Sequence, residues 1–82
     1  MALKLVFLGR LEDVAGMAEL LLPLAAPQPL AAVLAQLPGD LAQALSGPKV
    51  KLALNGAVLT AGAAPPLANG DELAFLPPVS GG

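Results

Sequence analysis

The stretch Asn69-Gly70-Asp71-Glu72-Leu73-Ala74-Phe75-Leu76-Pro77-Pro78-Val79-Ser80-Gly81-Gly82 reads as three pieces in succession. Asn69-Gly70-Asp71 has turn chemistry, because Asn and Asp bond their own backbone and Gly accepts positive φ. Glu72 to Leu76 is a short apolar run with the look of a strand. Alternation assigns Phe75 to the core and leaves Leu76 on the other face. Pro77 and Pro78 then remove two N–H donors, which ends sheet pairing and holds the chain extended. Val79 and Ser80 are small, and Gly81 and Gly82 carry no side chain. Such a tail can thread a narrow tunnel and bring its terminal carboxylate against groups that a Cβ would block. The division is therefore residues 1–76 as a folded domain and residues 77–82 as an extended tail.

A terminal strand needs partners, and the rest of the chain supplies them. Leu3 to Leu8 is nearly continuous in apolar residues, the pattern of a strand inside a sheet. Leu3, Leu5 and Phe7 share one face; Lys4, Val6 and Leu8 share the other, which Lys4 marks as the less buried one. A helical turn is expected over Leu11 to Ala15. Ala18 to Ala25 reads as a second strand in hairpin relation to the first. Pro29 suits the first position of a helix. Leu30, Val33, Leu34 and Leu37 then form a helical stripe that Pro38-Gly39 ends. Asp40 is placed to cap a shorter turn over Leu41 to Leu45. Lys49 to Leu54 alternates, with Val50, Leu52 and Leu54 inward and the two lysines outward. Asn55-Gly56 is a tight-turn pair, and Ala57 to Leu59 can return as a short strand. In the loop over residues 61–69, Leu67 is the expected inward anchor. Two hairpins flanking a crossover bring the first and last strands together as parallel central neighbours. The fold class is thus α+β: a β-grasp (ubiquitin-like) mixed sheet of about five strands, crossed by one main helix.

Composition limits what this domain can do. The chain has 82 residues, 56% hydrophobic and 12% charged, with no cysteine and no histidine. The commonest general base and metal ligand is missing, as is every thiolate, so no catalytic side chains and no metal site are expected. With a net charge of -2, only Lys4, Arg10, Lys49 and Lys51 as cations, and two aromatic residues, nucleic acid is a poor partner. Leu20 to Gly39 is charge-free but carries four prolines, which are costly in hydrocarbon. A soluble, non-secreted domain is the expectation. The surplus of apolar residues points to an exposed patch that meets a partner.

The run Leu54-Asn55-Gly56, the turn and strand Gly70-Asp71-Glu72-Leu73-Ala74-Phe75 and the ending Pro77-Pro78-Val79-Ser80-Gly81-Gly82 together resemble the small subunit of molybdopterin synthase. The resemblance extends over the whole chain; its selective part is the C-terminal signature. That family often places an Arg-Glu pair after the first strand, where this chain has Glu12-Asp13 with Arg10 two residues earlier. The resemblance implies a cytoplasmic sulfur carrier of molybdenum cofactor biosynthesis, a sulfur-donating subunit of a heterotetramer. Gly82 would be adenylated by an E1-like adenylyltransferase that uses ATP, then converted by a sulfur donor to a thiocarboxylate. Pro77, Pro78, Val79, Ser80 and Gly81 would thread the active site of the large synthase subunit. No cofactor would be bound by the carrier itself. Leu8, Val58 and Leu76 are the expected partner-facing residues, against the plainer reading that they pack under a loop of the same domain.

Two other readings stay open. A β-grasp carrier can serve thiamine synthesis or tRNA thiolation, or act as a ubiquitin-like protein modifier, with the same Gly-Gly chemistry. A β-grasp binding module with an incidental tail is the alternative from a different class. Asp71 and Glu72 form a carboxylate pair, but the turn explains Asp71 and no third polar partner suggests acid–base work.

Overall fold

A computed structural model of the protein describes residues 1–47, 49–59 and 65–77. The elements come in the order β1 (Leu3–Phe7), α1 (Arg10–Ala15), β2 (Glu19–Leu22), α2 (Leu30–Leu34), α3 (Gly39–Leu45), β3 (Lys51–Leu54), β4 (Ala57–Val58) and β5 (Glu72–Leu76). The strands form one sheet in the order β2-β1-β5-β3-β4. β1 and β5 are parallel and central, as two hairpins flanking a crossover require, with Leu5 opposite Leu73 and Phe7 opposite Phe75. β2 runs antiparallel to β1, and β3 antiparallel to both β5 and β4. This is the β-grasp sheet.

One side of the sheet carries the core. Leu3, Leu5, Phe7, Leu73 and Phe75 project onto it from the central strands, and each is at most 1% exposed. The rings of Phe7 and Phe75 stack at 5.8 Å across the parallel pair. Leu11 of α1, Val33 of α2 and Leu41 and Leu45 of α3 cover these side chains, joined by Leu24, Leu37 and Leu67 from the connections. Leu67 is fully buried, and its backbone exchanges two hydrogen bonds with Gln28, at 2.7 and 2.9 Å. The anchoring role read from the sequence is therefore met by both side chain and backbone.

The helical layer differs from the single main helix expected over Leu30 to Leu37. Regular α-helix ends at Leu34, and the next turn tightens: Gln36 N–H donates to Val33 at 3.1 Å and Leu37 N–H to Leu34 at 3.1 Å. Pro38 is the cause, since its ring clashes with the carbonyl four residues back and disfavours α conformation at Leu37. The apolar stripe survives the change, with Val33 and Leu37 buried and Leu30 and Leu34 packed against them. Pro29 lies one position earlier than expected, as the extended residue before the helix. In α3, Asp40 is not the cap. Pro38 holds that position, its carbonyl receiving the Ala42 N–H at 2.9 Å, and Asp40 lies inside the first turn without a capping bond. Its charge still suits that end of the helix. β1, β2 and β3 are shorter than the runs read from sequence, and the Ala57 to Leu59 return strand is regular over Ala57–Val58. Asn55 (φ 51°) and Gly56 (φ 87°) both take positive φ in the tight turn between β3 and β4, as a type I′ hairpin needs.

Candidate functional site

Among the described residues, no helix covers the other side of the sheet. Alternation sends Lys4 and Val6 of β1, Glu19 and Leu21 of β2, Lys51 and Ala53 of β3, Val58 of β4, and Glu72, Ala74 and Leu76 of β5 toward it. Register arranges them in rows. Glu19, Val6, Ala74, Ala53 and Val58 cross the sheet in one line. Leu76 lies opposite Lys51 in the next row, and Leu8 continues β1 beside it, with its N–H donating to Phe75 at 3.2 Å. At the far end Leu21, Lys4 and Glu72 form a third row.

The rows differ in chemistry. At the far end Lys4 Nζ lies 3.3 Å from Glu19 and 3.8 Å from Glu72, so these charges answer one another. The pairs are well exposed, and such contacts contribute at most about 1 kcal/mol each. Beyond Glu19, the middle row is a floor of small and branched apolar groups, Val6, Ala74 and Ala53. Leu8 (40% exposed), Val58 (68%) and the half-buried Leu76 stand around that floor. The three residues expected to face a partner thus share one open surface. Leu8 and Leu76 are immediate neighbours on it, whereas Val58 is separated from them by β3. The floor between them is a feature that sequence reading did not single out. Alternation in Leu73-Ala74-Phe75 and Leu52-Ala53-Leu54 is the signal that marks it, because each small residue sits between two inward ones.

The tail leaves from the same edge of this surface. In a parallel ladder the donors come at every second residue, here Leu8 toward Phe75; the reciprocal donor would be residue 77. Residue 77 is proline and has none. The Leu8 carbonyl is instead taken by the N–H of Leu11, at 3.1 Å. Pro77 therefore closes the sheet immediately after Leu76, in the row nearest the apolar surface. Pro78, Val79, Ser80, Gly81 and Gly82 lie outside the described residues, so the expected threading segment is located here only by its root.

Asp71 and Glu72 are engaged in structure. Asp71 accepts from the Ala68 N–H at 3.0 Å and from the Asn55 side-chain amide at 3.1 Å. Asn55 in turn exchanges bonds with the Glu72 backbone at 2.9 and 2.8 Å, tying the β3–β4 turn to the start of β5. Glu72 extends its carboxylate to Lys4. Each carboxylate thus has a structural partner, Asp71 in the turn and Glu72 in the exposed ion pairs of Lys4. Among the described residues no three His, Cys, Asp or Glu side chains come together as a metal site would need. No described helix is long and apolar enough to cross a membrane.

Solved structures of other proteins share this architecture. The crystal structure of SAMP1 from Haloferax volcanii superposes with a TM-score of 0.73 at 26% identity, over 100% of both chains. The solution structure of the HVO 2177 protein, also from Haloferax volcanii, gives a TM-score of 0.78 at 28% identity, over 100% of this chain and 87% of that one. A crystal structure of small archaeal modifier protein 1 from H. volcanii, at 24% identity and a TM-score of 0.70, covers 94% of this chain and 97% of its own and shares the fold. No curated protein matches the sequence. The ThiS family matches residues 5–82, from the first strand through the terminal glycine pair. On that extent of agreement, together with the β-grasp sheet and its proline-rooted tail, this chain belongs to the ThiS family of ubiquitin-like sulfur carriers.

Proposed function

We propose that this protein carries sulfur on the carboxylate of Gly82 and delivers it to molybdopterin. One observation bears most of the weight: the family match spans residues 5–82 and so takes in the Gly81-Gly82 end. An E1-like adenylyltransferase joins the Gly82 carboxylate to AMP, with release of pyrophosphate. A sulfur donor then displaces AMP, breaking the acyl–oxygen bond to phosphate and forming a carbon–sulfur bond. The resulting thiocarboxylate is a soft nucleophile, as low-pKa thiolates are. Threaded into the large subunit of molybdopterin synthase, it gives up its sulfur, and hydrolysis returns Gly82 as a carboxylate. Tethering on a tail without bulky side chains supplies proximity while the domain stays outside.

The body of the domain does the recognition. Leu8, Leu76 and Val58 around the Val6, Ala74 and Ala53 floor are the surface that the large subunit covers, with Pro77, Pro78, Val79, Ser80 and Gly81 continuing from it into the active site. Acid–base groups absent from this chain belong to its partners, and the carrier works in the cytoplasm without a bound cofactor. The specific link to molybdopterin is supported by the Pro77-Pro78-Val79-Ser80-Gly81-Gly82 ending.

A second reading has its own support. SAMP1 is similar along its whole length, and its name describes a modifier protein. In that role Gly82 would be joined to lysine amines of other proteins. One experiment separates the two. The chain is made together with the E1-like enzyme of its host and its intact mass is measured. Replacement of one oxygen by sulfur, followed by dithiolene formation when the large synthase subunit and the sulfur-free precursor are added, supports the carrier. A chain lacking Gly82 should do neither. Lysine-linked conjugates with no thiocarboxylate would instead establish the modifier, and synthesis surviving the truncation would refute the carrier.

A further inference from the structure

Gly9 lies where β1 turns into α1, and it faces the root of the tail. Its φ of 55° and ψ of -130° belong to the first central position of a type II′ turn, closed by the Leu11 N–H on the Leu8 carbonyl at 3.1 Å. A Cβ on Gly9 would stand 2.8 Å from Pro77 Cγ, closer than non-bonded carbon atoms approach, and 3.7 Å from Pro77 Cδ. Gly16, Gly39 and Gly56 would meet nothing within 4 Å, and Gly47 and Gly70 only ordinary contacts at 3.5 and 3.9 Å. Among the described glycines, Gly9 alone is pressed against another part of the chain. It sits 68 residues from that neighbour in sequence, a separation that no local turn requirement creates.

We infer that Gly9 is a positioning residue: its bare backbone seats the Pro77 ring and so fixes the direction in which the tail leaves the sheet. Pro77 cannot take the ladder bond that would otherwise align residue 77 with Leu8. Ring packing on Gly9 replaces that bond as the restraint. Pro77 has a fixed φ near -65°, so a seated ring sets the heading of the residues beyond it. A Cβ at position 9 would push the ring off its seat and re-aim the tail relative to the Leu8 and Leu76 surface. Delivery of Gly82 then becomes less frequent although every tail residue is intact. The functional consequence rests on the carrier reading; the seat itself does not.

The test uses the full chain as wild type, Gly9→Ala, Pro77→Ala and the double variant. In the wild type, nuclear Overhauser contacts should join the Gly9 Hα protons to the Pro77 ring. The Val79 N–H, the first beyond the two prolines, should change its residual dipolar coupling in Gly9→Ala while core couplings hold. The rate of pyrophosphate release by the E1-like enzyme should fall at least fivefold in Gly9→Ala when Pro77 is present. In the Pro77→Ala background, where the ring carbons Cγ and Cδ are gone, the same substitution should cost less than twofold. Equal losses in both backgrounds would mean that Gly9 serves only its own turn, and the proposal fails. It fails equally if the wild type lacks the Gly9–Pro77 contacts. Should Gly9→Ala not fold, the wild-type spectrum decides: absence of Gly9–Pro77 contacts overturns the seat. A wild type that is never adenylated would sink the carrier reading, while the spectroscopic arms would still judge the seat.

Discussion

At the scale of single residues, the side chains that matter most to the loop before β5 are amides. Asn69 spans 45 residues in sequence to the backbone of Leu24, accepting its N–H at 2.8 Å and donating to its carbonyl at 2.7 Å. Both groups are partly buried, so removing the amide strands them. Asn69→Ala should destabilise the domain by about 1–3 kcal/mol, seen as a lower urea midpoint at unchanged slope. A midpoint equal to wild type would mean that water replaces the amide without loss. The Asn69-Gly70-Asp71 turn was legible because Gly70 takes positive φ there and Asp71 accepts from the nearby Ala68 N–H. The clamp on Leu24 was not, since a bond across 45 positions leaves no period or spacing to find. Gly9 is hidden for the same reason: its turn role is local and readable, whereas its contact with Pro77 is not.

Elements were legible in proportion to how strongly their patterns repeat. β1, β5 and the β3–β4 hairpin follow from alternation and from Asn55-Gly56, and their pairing follows from the order of elements. The break in the helical layer was harder, because the apolar spacing from Leu30 to Leu37 continues through a point where Pro38 has already altered the backbone. The open face follows from the same alternation that defines the core. Its outward residues can therefore be changed without entering the core, which gives a prediction at this scale. Leu76→Arg should leave the domain folded, within about 1 kcal/mol of wild type, because the long side chain can reach water from the sheet surface. On the proposed carrier function, it should weaken capture by the large subunit of molybdopterin synthase at least tenfold in an equilibrium binding measurement. Leu21→Ser, at the charged end of the same face, should bind within twofold of wild type. Equal effects from both would show that the docking surface is not concentrated next to the tail.

At the scale of the whole molecule, composition sets a limit on how much damage the domain tolerates. Stability of about 0.05–0.15 kcal/mol per residue gives a chain of 82 residues roughly 4–12 kcal/mol in total. Its core depends on few large groups: two phenylalanines, stacked at 5.8 Å and both essentially fully buried, sit on the two central strands. That pair is where the β2–β1 hairpin and the β5–β3–β4 strands are joined, so it connects the halves of the sheet as well as filling volume. It also lies one residue before Leu8 and Leu76 of the apolar surface and two before the tail root at Pro77. Losing it should therefore loosen the fold and blur the exit of the tail together. Phe75→Ala removes a buried ring at a cost of about 3–5 kcal/mol, most of the reserve if the total lies at the low end. With a shift of about 4–8 °C per kcal/mol for a domain of this size, the thermal midpoint should fall by roughly 12–40 °C. Calorimetry checks the fall. A midpoint lowered by only a few degrees would mean that the helical layer closes over the gap, and that the Phe7–Phe75 pair is not the joint between the two halves of the sheet.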